Sequence, residues 1–301
     1  MKTKYYFLAL ISVLLLSCNK RLDGFLFNYA QIDAYLLDDY AGEKPFDLDA
    51  SFNIPSDLVH LFSFPINDNG KTLLVYAIYI GDVNTINQDT VILYCHGNRD
   101  HMDFYWNRQK LLAHVGGKNR YGVLSFDYPG FGMSEGTPTE ENMYLATEGA
   151  LDWLQSKGMV DNRLIAYGYS LGSAPATRIA ANPNEFSLCP KILILENPFA
   201  SSEVMAQSSS GLSFPGSYFT NIKIANAEEI KKVNQPFLWM HGTDDSFLTL
   251  EAHGQVVYDN YSGIRGKAVI VEGATHDGEL GVPKVMGFSN YLNTILEFIT
   301  E

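Results

Sequence analysis

The sequence predicts an α/β fold, with a mostly parallel eight-stranded sheet covered by helices on both faces. Two observations carry that prediction. From residue 58 onward, short apolar runs alternate with longer stretches of helical periodicity. Overall, 46% of the 301 residues are hydrophobic and only 18% are charged. A strand buried on both faces reads as an unbroken apolar run, and strand–helix alternation builds a parallel, doubly wound sheet. That apolar content excludes a dominantly disordered state and suffices for one large core.

The expected strands are Leu58–Phe64, Thr72–Ile80, Thr90–Cys95, Gly122–Asp127, Arg163–Tyr167, Ile192–Leu195, Pro236–Met240 and Ala268–Val271. No helical sequence separates the first two, and Asn67-Asp68-Asn69-Gly70 has the turn chemistry of a hairpin. The clearest helix is Glu140–Lys157, with Thr139 as N-cap, acidic residues in the first turn and Gly158 to stop it. Its Met143, Ala146, Ala150, Trp153 and Leu154 recur at helical spacing, which is core packing. Residues 197–226 break the rhythm with Ser208-Ser209-Ser210, Pro215-Gly216 and the aromatics Phe199, Phe214, Tyr218 and Phe219. An aperiodic insertion of this kind is expected to serve as a short cap. Residues 18–57 carry Phe25, Phe27, Ile32, Leu36 and Leu37, too much apolar surface for a free linker, so part of this segment should pack on the domain.

Charge and cysteine content exclude other classes. Lys+Arg number 21 against 34 Asp+Glu, and this balance with no basic cluster makes nucleic acid a poor partner. Three Cys are too few for a disulfide scaffold. Cys95 ends a strand and Cys189 precedes one, which puts them at opposite sheet edges and beyond the ~7 Å Cα limit of a disulfide. No His/Asp/Glu set has metal-ligand spacing, so no metal is expected, and no cofactor is implied.

Gly-x-Ser-x-Gly occurs twice, around Ser134 and around Ser170. Chance alone gives about 0.15 matches in a chain of this length, so context must decide. The chemistry needs a sharp strand-to-helix turn that lifts the hydroxyl clear of the sheet. Ser170 has one: Arg163–Tyr167 reads as a strand and Ser173–Ala180 as a helix. Ser134 lies in a loop with Thr137-Pro138 after it. A hydroxyl needs a base oriented by an acid. Of His60, His96, His101, His114, His241, His253 and His276, only His276 sits in a turn-like segment after the last strand. Loops at strand carboxyl ends meet at one sheet edge, which brings His276 to the edge that carries Ser170. His-Gly-x-x-Asp also occurs twice, at His96 and His241, and the order Ser, acid, His selects the second copy. Asp245 is preferred there over its neighbour Asp244, and Glu196, at another strand end, is a third candidate.

With these motifs in order, the chain resembles an α/β-hydrolase over about residues 58–300, and most of all the small-lidded serine esterases and thioesterases with a His-Gly-Asn loop, here His96-Gly97-Asn98. The stretch from Asp127-Tyr128-Pro129-Gly130-Phe131-Gly132 to Thr139-Glu140 is similar to the signature that follows a strand in that family. The resemblance implies Ser170 as nucleophile, Asp245 as acid, His276 as base, and the backbone N–H groups of Leu171 and Asn98 as the oxyanion hole. It implies structural roles for His96 and His241. Arg99-Asp100-His101 departs from the small residues common at that point and offers charged groups to a substrate. Arg99, Tyr169, Phe199, Phe214, Tyr218 and Phe219 are the candidates for substrate or cap contact. The expected partner is a small acyl ester or thioester. The alternatives are a peptidase on the same fold and a non-catalytic surface-binding protein.

The N-terminus reads as an address. Lys2 and Lys4 precede a 12-residue apolar run, Tyr5 to Leu16, too short to cross a bilayer but suited to secretion. Leu15-Leu16-Ser17-Cys18 resembles the lipobox of bacterial lipoprotein signals, which implies removal of residues 1–17 and acylation of Cys18. More than one acyl chain gives stable membrane attachment, so an extracytoplasmic, lipid-anchored protein is expected.

Overall fold

Eight strands pair into one sheet in the computed structural model, which describes residues 23–43, 46–210, 216–218 and 220–301. The signal-like segment with Cys18 lies outside the described residues, as do Phe214, Phe219 and the side chain of Tyr218. The strands are β1 (Val59–Asp68), β2 (Lys71–Ile80), β3 (Val91–Cys95), β4 (Gly122–Phe126), β5 (Leu164–Tyr169), β6 (Ile192–Glu196), β7 (Phe237–Gly242) and β8 (Gly266–Val271). Their spatial order is β8-β7-β6-β5-β3-β4-β2-β1, antiparallel only between β1 and β2 and between β2 and β4. Every residue of β3 to β7 is buried, which is why these strands appear as unbroken apolar runs. The β1–β2 hairpin turns at Asn69 and Gly70, with φ of 51° and 88°. Left-handed angles at both positions match the twist of the flanking strands.

The main helices are α1 (Trp106–Ala113), α2 (Glu140–Ser156), α3 (Ser173–Ala181), α4 (Ser202–Ser210), α5 (Gly254–Asn260) and α6 (Phe288–Thr300). Thr139 caps α2 by accepting from the Asn142 N–H at 3.0 Å. The pleat divides the core. Val91 and Leu93 of β3 pack with Met143, Ala150 and Ile179 of α2 and α3, whereas Ile92 and Tyr94 pack with Leu111, Ile295 and Phe298 of α1 and α6.

The arm ahead of the sheet lies on the domain. Leu26 and Phe27 join the first of these cores and Phe46 the second. Asn28–Tyr29 pairs in parallel with Arg99–Asp100, and Gln31 bridges to Gly132. Residues 197–226 are more regular than expected, since their described part contains α4 and a 3₁₀ turn at Gly216–Tyr218. Serines 208–210 close α4, and their low helical preference hides its period. Among the described residues no helix is long and apolar enough to cross a membrane.

Candidate active site

The chain leaves β5 at Tyr169 and turns at Ser170 into a 3₁₀ turn, Ser170–Gly172, that continues as α3. Ser170 has φ of 52°, a left-handed conformation that costs a non-glycine residue roughly 1–3 kcal/mol and persists only where its surroundings impose it. Crowding imposes it here. A Cβ on Gly172 would stand 1.9 Å from the carbonyl oxygen of Cys95, and one on Gly168 would stand 2.5 Å from the carbonyl oxygen of Gly172. The elbow therefore packs directly on the end of β3. The other motif serine, Ser134, donates to the Asp127 carbonyl at 2.9 Å and accepts from the Tyr76 N–H at 2.9 Å, closing the loop after β4.

His276, on the loop after β8, brings Nε2 to 2.9 Å from Ser170 Oγ. Its Nδ1 lies 2.7 Å from Asp245 Oδ2, on the loop after β7. A carboxylate only accepts, so Nδ1 carries the proton and Nε2 is free to accept from the serine hydroxyl. The other Asp245 oxygen, Oδ1, accepts from the N–H groups of Phe247 (3.0 Å) and Leu248 (2.7 Å). Burial raises this carboxyl, but the bond from His276 and the Leu248 N–H outweigh it and hold it below the usual carboxylate range. Asp244 is exposed and bonded to the Thr243 hydroxyl. Glu196 is buried against Arg108, Tyr167 and Tyr291 instead. Of these three carboxylates, Asp245 is the one that meets His276.

Three residues fix His276 and its loop. Tyr169 stacks on the His276 ring at 5.6 Å, and Phe247 meets it edge-on at 5.1 Å. The His276 carbonyl accepts from Tyr169 OH and Asn197 Nδ2, both at 2.9 Å. Asn197 Oδ1 accepts from the Gly242 N–H at 3.3 Å, so one side chain ties the loop of the base to the strand that delivers the acid. Sequence reasoning missed Asn197. Its only signal is its position immediately after Glu196, at the carboxyl edge that carries Ser170.

The Leu171 amide follows Ser170 in the turn. The His96-Gly97-Asn98 loop is set by His96, whose Nδ1 donates to the Gly97 carbonyl at 2.7 Å. A trans peptide holds its C=O and the next N–H on opposite sides, so the Asn98 N–H points away from His96. His96 Nε2 lies 3.1 Å from Asp127 Oδ1 without the alignment of a hydrogen bond. Asp127 is itself held by the Met102 N–H and Tyr35 OH, each at 2.7 Å. His241 sits in the core, where its Nε2 donates to the Leu248 carbonyl at 2.8 Å and its Nδ1 accepts from Trp239 Nε1 at 3.3 Å.

Two expectations about substrate contact are corrected. Phe199 is 1% exposed and belongs to the core cluster that includes Ala174, Ala176 and Ile179 of α3, so its ring is spent on packing. Tyr169 is 2% exposed, since its ring lies between His276 and Arg108 and its hydroxyl is spent on the His276 carbonyl. Arg99 is half-exposed and pairs with Asp277 at 3.1 Å. With Gly42, Glu43, Phe104, Asp277 and Gly278 it lines a cavity of about 240 Å³ beside the base loop. Cys95 and Cys189 are both free. Among the described residues no group of His, Cys, Asp or Glu could hold a metal ion.

A sheet of this strand order with a Ser–His–Asp relay at its carboxyl edge defines the α/β-hydrolase fold, and the chain has that fold. Residues 90–207 match the alpha/beta hydrolase fold family. The chain is similar to lysophosphatidylserine lipase ABHD12 of Macaca fascicularis, 35% identical over 203 residues, 62% of this chain and 48% of that protein. It is also similar to alpha/beta hydrolase domain-containing protein 17B of Homo sapiens, 27% identical over 71% of this chain and 68% of that one. The chain thus spans about half the length of its ABHD12 relatives. Among solved structures, an esterase of Pyrococcus furiosus superposes with a TM-score of 0.63 at 15% identity, covering 91% of this chain and 97% of that one. A membrane phospholipase A superposes with a TM-score of 0.56 at 18% identity, covering 81% and 86%. At these identities the likeness is one of fold.

Proposed function

We propose that the protein is a serine hydrolase that cleaves carboxylic ester or thioester bonds through an acyl-enzyme on Ser170. The observation that carries this reading is the unbroken relay of 2.9 Å from Ser170 to His276 and 2.7 Å from His276 to Asp245. His276 takes the hydroxyl proton as Ser170 Oγ attacks the carbonyl carbon. The N–H groups of Leu171 and Asn98 receive the charge that develops on the carbonyl oxygen, a contribution of about 3 kcal/mol for each such donor. The imidazolium, balanced by Asp245, protonates the departing alcohol or thiol. Water then releases the acyl group with the same imidazole as base.

The similarity to lysophosphatidylserine lipase ABHD12 supports an acyl lipid as the substrate class. The Leu15-Leu16-Ser17-Cys18 sequence supports an extracytoplasmic protein anchored through lipidated Cys18, which would hold the enzyme where such lipids are found. Turnover of p-nitrophenyl acetate and butyrate tests the chemistry. Ser170→Ala should lower kcat by about 10⁶ and abolish labelling by a fluorophosphonate, whereas full activity in that variant ends the proposal. A panel of acyl lengths defines the substrate. Cys18→Ala should free the protein from membranes, and continued partitioning would place the anchor elsewhere.

A further inference from the structure

Glu43 lies in the arm ahead of the sheet, yet its carboxylate is buried (4% exposed) immediately behind the base loop. Its Oε2 accepts from Arg108 Nε at 2.6 Å and its Oε1 from Nη2 at 2.9 Å, a two-pronged pair between planar groups. The same Oε1 accepts from the backbone N–H of Gly278 at 3.2 Å, two residues past His276. Arg108, from α1, gives its remaining nitrogen Nη1 to Glu196 at 2.7 Å. Its guanidinium carbon stands 3.9 Å from the centre of the Tyr169 ring, which stacks on His276. Burial disfavours the arginine charge, but Glu196 and Glu43 more than restore it, so the cation stays fixed beneath Tyr169.

Glu43 therefore reaches the base by two routes, through the Gly278 main chain and through the Arg108–Tyr169 stack. The arm also borders the other side of the site. Asn28–Tyr29 pairs with Arg99–Asp100, directly after Asn98, and the Ala30 N–H donates to the Asp100 carbonyl at 2.9 Å. Elsewhere the arm is tied without touching either loop. Asp38 accepts from Lys110 Nζ at 2.5 Å and from Trp106 Nε1 at 3.0 Å, both on α1.

We propose that Glu43 is a positioning residue for the hydrolytic reaction, holding the His276 loop in register with Ser170 from a segment outside the hydrolase sheet. The proposal rests on the reading of Ser170 and His276 as nucleophile and base.

The test compares Glu43→Gln with Asp38→Asn in the full chain, reading kcat, KM, the rate of fluorophosphonate labelling and Tm. Misplacement of a reacting group by about 1 Å costs about 100-fold, so Glu43→Gln should lose 10- to 100-fold in kcat and in labelling rate, with KM within twofold. Asp38→Asn should lower Tm and leave kcat within twofold. Should Glu43→Gln fail to fold, Glu43→Asp replaces it, because a carboxylate one methylene shorter cannot span Arg108 and Gly278 together, and the same kcat loss is expected. Retention of kcat within twofold in the folded Glu43 variant, or an equal loss of kcat in Asp38→Asn, overturns the proposal. His276→Ala separates the two readings. An inactive His276→Ala beside a fully active Glu43 variant refutes the positioning role alone, whereas a fully active His276→Ala refutes the nucleophile–base reading beneath it.

Discussion

Replacing Asp245 by Asn should silence the site without disturbing its shape, and the structure says why. The two backbone donors on Oδ1, from Phe247 and Leu248, require an acceptor at that position. The amide oxygen of an asparagine must therefore occupy it, which turns the NH₂ toward His276 Nδ1 in place of Oδ2. An NH₂ donates, so Nδ1 must accept and the ring proton moves to Nε2, facing Ser170 Oγ. A protonated Nε2 cannot take the serine proton. The corresponding exchange in a serine protease costs about 10⁴ in kcat, which at about 1.36 kcal/mol per tenfold is about 5.4 kcal/mol of transition-state stabilisation. The assay is steady-state hydrolysis of p-nitrophenyl butyrate, with ¹⁵N NMR of the His276 ring to read the tautomer. Asp244→Asn, at an exposed position, should stay within twofold. A loss below tenfold in Asp245→Asn, or an Nδ1–H tautomer in that variant, would refute the reasoning.

Other outcomes follow from the same geometry. Asn197→Ala removes the bond to the His276 carbonyl and leaves the Gly242 N–H short of an acceptor, so urea unfolding should show a loss of about 1–3 kcal/mol together with a lower kcat. Gly172→Ala places a Cβ 1.9 Å from the Cys95 carbonyl oxygen, so expression and Tm should reveal a severe defect, about 4 kcal/mol or more. The folded-state depression of Asp245 gives stability that is full above the unfolded carboxyl value of ~3.9 and is lost as pH falls through the lower folded value. Tm measured from pH 5 to pH 2 should therefore decline less steeply in Asp245→Asn than in the parent. His253, pushed down to about 4 by burial and by His241, is neutral when folded, whereas the unfolded chain takes up a proton near 6.5. Stability should therefore fall between those two pH values by up to about 3 kcal/mol, and His253→Asn should flatten that slope.

The fold was legible because its signals are local. Apolar runs such as Val91–Cys95 announce strands buried on both faces, and Thr139 with Glu140 and Glu141 announces the start of α2. The site was legible where one motif carries its own context, as the strand-to-helix turn does at Ser170. The sequence prefers Asp245 over Asp244, but the backbone donors of Phe247 and Leu248 that hold its carboxylate toward His276 leave no trace in the spacing. Asn197, Arg108 and Glu43 were illegible for a related reason. Their partners lie far away in the chain, and a buried ion pair between residues 43 and 108 leaves no periodic trace. Phe199 falls in an aperiodic stretch, where no spacing separates a core aromatic from one that contacts substrate, and the structure places it in the core.

The pairing of Asn28–Tyr29 with Arg99–Asp100 has a consequence for how such an enzyme would meet its substrate. The arm is already helical at Asp23–Leu26 and buried at Leu26 and Phe27, so five residue steps join Cys18 to the domain, and at ~3.6 Å per residue they reach at most about 18 Å. An acylated Cys18 would thus confine the catalytic mouth to a thin shell above the lipid headgroups. Turnover would then follow the density of substrate within the bilayer, in molecules per unit area, rather than its bulk concentration, and diluting the lipid with inert detergent would slow the enzyme while the total amount of substrate stayed fixed.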